Sequence, residues 1–71
     1  MTNSTTENIR RNIKKYRNAK GFTQEKLSEL AGISTDYISE LERGKKVPSI
    51  KRLDKIAVAL DVPVYKFLMP N

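Results

Sequence analysis

The chain has 71 residues, a length that allows one small domain at most. It contains no cysteine and no histidine, which excludes disulfide bonds and removes the side chains that most often bind metals or act as a base near neutral pH. Fourteen Lys and Arg residues against eight Asp and Glu residues give a net charge of +6, which favours a polyanionic partner, although a merely soluble basic protein fits the charge equally well.

Apolar residues recur at three- and four-residue spacings in five stretches of the chain, and this period is typical of amphipathic helices. No stretch alternates with a period of two for long enough to compete as a strand. The sequence therefore predicts an all-α fold. The predicted helices cover residues 6–20, 24–31, 34–43, 50–60 and 63–69.

Helix boundaries are marked by residues whose backbone preferences are well defined. Gly21, Gly32 and Gly44 each follow a predicted helix, where a left-handed residue is favoured. Prolines 48 and 63 stand just before or at the start of one. The predicted N-caps are Ser4 (which with Glu7 has the spacing of a capping box), Thr23, Ser34 and Ser49.

Residues 1–5 are polar, and we expect them to form a flexible N-terminus ahead of a single domain at 6–69. The longest apolar run, Ile56–Leu60, is too short to span a membrane, and the N-terminus does not resemble a signal peptide. We therefore expect a cytoplasmic protein. No metal, cofactor or small-molecule ligand is expected, and neither is enzymatic activity.

The segment from Gln24 to Leu41 has the pattern of two helices joined by a short turn. Gly32 can adopt the positive φ that such a turn requires, and the small Ser28 lets the two backbones approach closely. A plain helical hairpin could use the same residue types. The combination of these apolar and small residues at this spacing, with glycine in the turn, favours a helix-turn-helix. The apolar positions that would hold the crossing are Leu27, Ile33, Ile38 and Leu41.

Several segments resemble the phage Cro/repressor (XRE-type) helix-turn-helix family: Thr23–Leu27, Ala31–Ser34, Tyr37–Gly44 and Pro48-Ser49. The tail between Leu53 and Leu68 is similar to that family's fourth and fifth helices. The resemblance covers about residues 8–69 and is greatest to small stand-alone regulators such as restriction–modification controller proteins and SinR-type repressors. It implies a five-helix lambda-repressor-like domain that binds double-stranded DNA and regulates transcription.

In a helix-turn-helix, the second helix lies in the major groove with its N-terminal part against base edges. If Ile38 and Leu41 face the core, the opposite face of this helix is free to read DNA. An ordinary solvated face is the alternative that periodicity alone would favour. The candidate base-reading residues are Thr35, Asp36, Tyr37, Ser39, Glu40 and Arg43.

Two of these candidates are acidic, and three roles remain open for Asp36 and Glu40. Carboxylates repel phosphate but can accept a hydrogen bond from cytosine N4, weaken binding to wrong sites, or pair with Arg43 or a nearby lysine. The methyl group of Thr35 suits a thymine methyl. The hydroxyl of Tyr37 can reach a phosphate or a base edge, although its ring can also pack against the core.

Phosphate contacts are expected on both sides of the reading helix. The resemblance implies that Gln24 contacts the DNA backbone, and Lys45 and Lys46 form a basic loop after the reading helix. Thr23 and Ser34 are expected first of all to cap their helices, and a phosphate contact by their hydroxyl groups is the second role considered. The candidate phosphate-contact residues are Thr23, Gln24, Ser34, Lys45 and Lys46.

The resemblance also implies an ion pair between Arg17, near the end of the first helix, and Glu42, near the end of the reading helix. A phosphate clamp is the alternative role for Arg17. A partly buried pair is favoured, and removal of one partner is then expected to cost more than the pair itself contributes, because it strands a charge.

The last helix is more apolar than a chain end needs for its own core. A single short domain makes few base contacts, so such proteins usually pair on two half-sites of a palindromic operator. We therefore expect a homodimer, with closure of the monomer core as the alternative. The candidate dimer-interface residues are Val64, Phe67, Leu68 and Met69.

The function predicted from the sequence is that of a homodimeric, sequence-specific regulator of transcription, such as a repressor. The alternative is a helical protein-interaction module whose basic face binds an acidic partner. Binding assays with selected and random duplexes would separate the two, because only the first predicts a large preference for one DNA sequence.

Overall fold

The computed structural model describes residues 4–70, and within this range the regular secondary structure is entirely helical. The helices are α1 (Thr5–Ala19), α2 (Gln24–Ala31), α3 (Thr35–Glu42), α4 (Ile50–Leu60) and α5 (Tyr65–Leu68). The prediction of an all-α fold with five helices is confirmed. Of the N-terminal segment expected to be flexible, residues 1–3 lie outside the described residues, while Ser4 caps α1 and Thr5 begins it.

The four longer helices begin at the hydroxyl residues predicted to cap them. In each case the side-chain oxygen accepts a hydrogen bond from the backbone N–H three residues later, at distances of 3.0–3.2 Å. Each cap of this kind is worth about 1 kcal/mol. The capping box at α1 is only half formed, because the Glu7 carboxylate pairs with Arg10 and Arg11 on the next turn.

The C-cap residues of α2 and α4 are themselves left-handed, and they are of different types. Gly32 ends α2 with φ +69°, as predicted, and its N–H donates to the Ser28 carbonyl oxygen at 2.9 Å. Asp61 ends α4 with φ +58°, although no glycine marks that position. Aspartate tolerates this conformation better than most residues, but the sequence did not predict a left-handed residue at this position.

The core lies between two groups of contacts: α2 packs against α3 and α4, while α1 packs against α5, α3 and α4. Its largest fully buried apolar residues come from all five helices: Ile13, Leu27, Ile38, Leu41, Leu53, Ile56, Leu60 and Phe67. Phe67 of α5 meets Tyr16 of α1 edge-on, with ring centroids 5.4 Å apart. The short α5 is thereby tied to the opposite end of the chain.

Two buried asparagines of α1 hold α5 in place by hydrogen bonds. The Asn12 side-chain nitrogen lies 2.7 Å from the Met69 carbonyl oxygen and 3.0 Å from that of Phe67. The Asn8 amide donates to the Leu68 carbonyl oxygen at 3.2 Å. These donors satisfy carbonyl groups that the end of a four-residue helix leaves without partners. Neither asparagine belongs to a local sequence pattern that predicts this role.

None of the helices within residues 4–70 combines the length and the apolar character that a membrane span requires. In the same part of the chain, acidic side chains do not gather into a group of three that could hold a metal ion.

Candidate nucleic-acid interface

Residues 24–42 form two separate helices that cross at a sharp turn. The positive φ of Gly32 ends α2, and α3 begins at Thr35 after the Ser34 cap. Ile38 and Leu41 are buried, with exposures of 0% and 1%, so they fix α3 against the core. The remaining face of α3 is therefore directed away from the core, as the helical spacing predicted.

The predicted base-reading residues all lie on this free side of α3 and its C-terminal cap. Asp36 and Arg43 are exposed, while the others are half-buried. The Thr35 hydroxyl lies 2.9 Å from that of Ser28, which anchors the start of α3 to α2. Arg43 folds back so that its Nε donates to the Ser39 carbonyl oxygen at 3.4 Å. The side chains are thus brought together on one surface.

A cluster of charged and aromatic side chains borders that surface on the α4 side. The Lys46 ammonium lies 3.3 Å from Glu40 Oε1 and 5.7 Å from the centre of the Tyr37 ring. The guanidinium of Arg52, on α4, lies 4.8 Å from the same ring centre. Among the roles left open for Glu40, the free chain adopts the ion pair with a neighbouring lysine. Asp36 makes no ion pair within residues 4–70.

Arg17 and Glu42 meet in a nearly dry, two-pronged ion pair. Arg17 Nε donates to Glu42 Oε2 at 2.6 Å and Nη2 donates to Oε1 at 3.0 Å. Their side chains are 11% and 4% exposed. The third Arg17 nitrogen donates to the Phe22 carbonyl oxygen at 2.7 Å, which ties the α1–α2 turn into the same network. Arg17 therefore braces the end of α3 in the free chain.

Gln24 joins this network in a way that the sequence analysis missed. Its side-chain nitrogen donates to Glu42 Oε1 at 3.0 Å, so the amide assigned to a phosphate contact has an intramolecular partner. Thr23 likewise uses its hydroxyl to accept the Lys26 N–H at 3.0 Å. The Thr23 cap was predicted, but the Gln24 contact has no signal in local spacing, because Gln24 and Glu42 are eighteen residues apart.

The basic loop after α3 is exposed. Lys45 and Lys46 are both open to solvent next to α3. At the other end of α3, the Ser34 hydroxyl oxygen accepts a hydrogen bond from the Tyr37 N–H at 3.1 Å. Arg10 of α1 contacts the end of α3 just before this loop, because its Nη1 lies 3.5 Å from the Glu42 carbonyl oxygen. Two exposed cations therefore flank the face of α3 that carries the base-reading candidates, and one of them, Lys46, is paired with Glu40 in the free chain.

A family model described as Helix-turn-helix matches residues 13–67, which includes all of α2, α3 and α4. The chain belongs to this helix-turn-helix family. The match confirms the resemblance inferred from the sequence. The regulator SinR of Bacillus subtilis is 41% identical over 61 residues, a region that is 84% of this chain and 55% of SinR. The chain thus spans about half the length of that relative.

Solved structures agree with the five-helix architecture. A structure of SinR, described as the master regulator for biofilm formation, in complex with DNA has a TM-score of 0.83 at 40% identity and covers 86% of this chain and 98% of that one. The restriction–modification controller protein C.AhdI of Aeromonas hydrophila has a TM-score of 0.81 at 32% identity, with 84% and 91% covered. Both of these relatives are named for a regulatory role.

The structure divides the predicted dimer residues into two groups. Phe67 is 0% exposed and belongs to the core of its own chain, which corrects the expectation that it lies at a dimer contact. Val64 is half-buried against the same core. Leu68 and Met69 are 41% and 51% exposed. Tyr65 lies close by on α5 and is more exposed still, although the sequence analysis did not select it.

Proposed function

We propose that this chain is a sequence-specific regulator of transcription that binds double-stranded DNA with α3 in the major groove. The observation that carries the proposal is the anchoring of α3. Ile38 and Leu41 hold one side of the helix in the core, and the Arg17–Glu42 pair braces its end. A rigid helix with a polar free face and a basic loop beside it has the form that groove reading requires. The solved complex of SinR with DNA supports this function.

The proposed contacts divide into two kinds. Thr35, Ser39 and Arg43 approach base edges, with Asp36, Tyr37 and Glu40 at the border of the same face. Lys45 and Lys46 neutralise backbone phosphates and supply affinity that is independent of sequence. Thr23, Gln24 and Ser34 sit at the N-termini of α2 and α3, where free N–H groups face the phosphates.

We propose further that the protein binds a palindromic operator as a homodimer. One domain of this size buries too little surface on DNA to select a site from a genome, and a twofold pair doubles the contacts. The exposed apolar side chains of α5 and its C-cap, chiefly Tyr65, Leu68 and Met69, form the surface proposed for that twofold pairing. Occupation of an operator at or beside a promoter would then change transcription.

Fluorescence anisotropy with labelled duplexes tests the DNA-binding proposal. A duplex selected from a random pool is expected to bind about 10³-fold or more tightly than random DNA. Replacing Lys45 and Lys46 by Ala is expected to weaken binding to every duplex and flatten its salt dependence. The charge-matched control replaces Lys14 and Lys15 by Ala, which removes two exposed cations from α1. Equal affinity for selected and random duplexes would refute sequence-specific regulation.

Two further variants test the orientation of α3 and the dimer. Thr35→Ala is expected to change base preference at one position in each half-site, and an unchanged preference would mean that α3 is oriented differently. Sedimentation equilibrium is expected to show a dimer that Met69→Lys dissociates. A wild-type chain that stays monomeric both free and on the operator would refute the dimer.

A further inference from the structure

A groove between α3 and α4 opens directly onto the proposed reading face. Asp36, Tyr37 and Glu40 line its α3 side. The opposite side carries three cations, namely Lys46 from the loop and Arg52 and Lys55 from α4. Since Arg52 and Lys55 are three residues apart on one helix, both project toward the same side of α4. The groove therefore extends the DNA-facing surface onto a helix outside the helix-turn-helix itself.

Arg52 differs from the other cations of the groove in how it is held. It makes no ion pair with an acidic side chain within residues 4–70, whereas Lys46 pairs with Glu40 at 3.3 Å. Its guanidinium instead lies 4.8 Å from the centre of the Tyr37 ring. A guanidinium held over an aromatic ring is attracted to the ring face, and this attraction occupies none of its N–H donors with a carboxylate.

A charge that is both restrained and unpaired is well suited to an anionic partner. Lys46 must separate from Glu40 before it can engage a phosphate fully, which offsets part of its gain. Arg52 gives up no carboxylate, and its forked donors match the oxygens of a phosphate in two-pronged geometry. Contact with the Tyr37 ring limits the conformations of this long side chain in the free chain, which reduces the entropy lost on binding.

We infer that Arg52 contacts a phosphate of the DNA backbone at the edge of the major groove, and that Tyr37 is the positioning residue that holds it there. Lys55 extends this basic edge by one turn along α4. The inference rests on the proposed function, because it assumes that α3 enters the groove. It assigns to α4 a direct part in DNA affinity, and to Tyr37 a role that does not depend on reading a base.

The test compares Arg52→Ala with Lys51→Ala, using a random-sequence duplex as the probe. Lys51 is the adjacent residue on α4, carries the same charge and does not line the groove. Affinity is measured as a function of salt concentration. Loss of a phosphate contact is expected to lower the slope of log K against log salt by about 0.9 for Arg52→Ala. The expected loss of affinity is about tenfold. Lys51→Ala is expected to change both by less than half as much.

Substitutions of Tyr37 separate positioning from other roles. Tyr37→Phe keeps the aromatic ring and is expected to retain the wild-type salt slope. Tyr37→Leu removes the aromatic ring that contacts Arg52. It is expected to lower the logarithm of the affinity for the random duplex by about half as much as Arg52→Ala does. Adding Tyr37→Leu to Arg52→Ala is expected to cost much less than Tyr37→Leu costs alone, because the ring acts mainly through the arginine and less through Lys46, which lies farther from its centre. Circular dichroism confirms that each variant is folded, and Arg52→Lys replaces Tyr37→Leu if the latter unfolds.

The outcomes distinguish the two proposals. Equal slopes for Arg52→Ala and Lys51→Ala, or additive losses for Tyr37→Leu and Arg52→Ala, would overturn the inference while the wild-type chain still binds DNA. With Arg52→Lys, a full wild-type affinity would overturn the role of the stacked, planar guanidinium. A wild-type chain that binds no duplex would instead refute the proposed function.

Discussion

Replacing Arg17 by methionine is the most direct test of how α3 is held. The substitution keeps most of the side-chain volume but removes the cation from the Glu42 carboxylate, whose side chain is 4% exposed. Breaking a buried pair from one side costs about 3–5 kcal/mol, because the remaining charge is neither solvated nor paired. The Gln24 amide remains as a donor to Glu42 and keeps the cost near the lower end of that range.

This cost is large relative to the stability of the domain. At roughly 0.05–0.15 kcal/mol per residue, a chain of this length has a free energy of unfolding of roughly 4–11 kcal/mol. We therefore expect Arg17→Met to lower the melting temperature by at least about 12 °C. Urea unfolding followed by circular dichroism measures the change in free energy directly, provided that the slope of the unfolding free energy against urea concentration is unchanged.

Two matched variants make the result interpretable. Arg11→Met removes a cation from the exposed pair with Glu7, and its cost is expected to stay below about 1 kcal/mol. The double variant Arg17→Met with Glu42→Leu removes both buried charges and is expected to be more stable than Arg17→Met alone. If Arg17→Met costs no more than Arg11→Met, or if the double variant is less stable than Arg17→Met, the buried pair does not brace α3 as described.

Three other substitutions test separate features of the fold. Gly32→Ala is expected to cost about 1–2 kcal/mol in urea unfolding from its positive φ alone, since an added Cβ meets nothing within 4 Å; a smaller loss would show that the turn relaxes. Asn12→Leu removes the donor to the α5 carbonyls, and hydrogen exchange is expected to rise in α5 before α2 or α3; uniform exchange would contradict a local clamp. Arg10 hydrogen-bonds the Glu7 carboxylate and lowers the pKa of Glu7. Because the pKa of Glu7 is lower in the folded chain, its ionised carboxylate stabilises the fold at a pH above the unfolded pKa of about 4.3, and this stabilisation is lost as the pH falls through the folded pKa. Glu7→Gln is therefore expected to make the free energy of unfolding less dependent on pH in this acidic range.

The sequence by itself determined the local architecture. Helix periodicity, the hydroxyl caps and the left-handed Gly32 depend on interactions among residues within four positions of one another. The same spacing predicted the free face of α3, because the apolar Ile38 and Leu41 mark the side of the helix that packs against the core. The two helices of the motif and the surface they present were therefore predictable without coordinates.

Only the tertiary structure decided which partner each side chain meets. Gln24 and Glu42 are eighteen residues apart, and Asn12 and Phe67 are fifty-five apart, so no local pattern records their hydrogen bonds. Periodicity marked Phe67 as apolar but could not tell its own core from the surface of a second copy. The position of Arg52 over Tyr37 depends on the angle at which α4 packs against α2, which long-range packing sets and short-range sequence preferences do not.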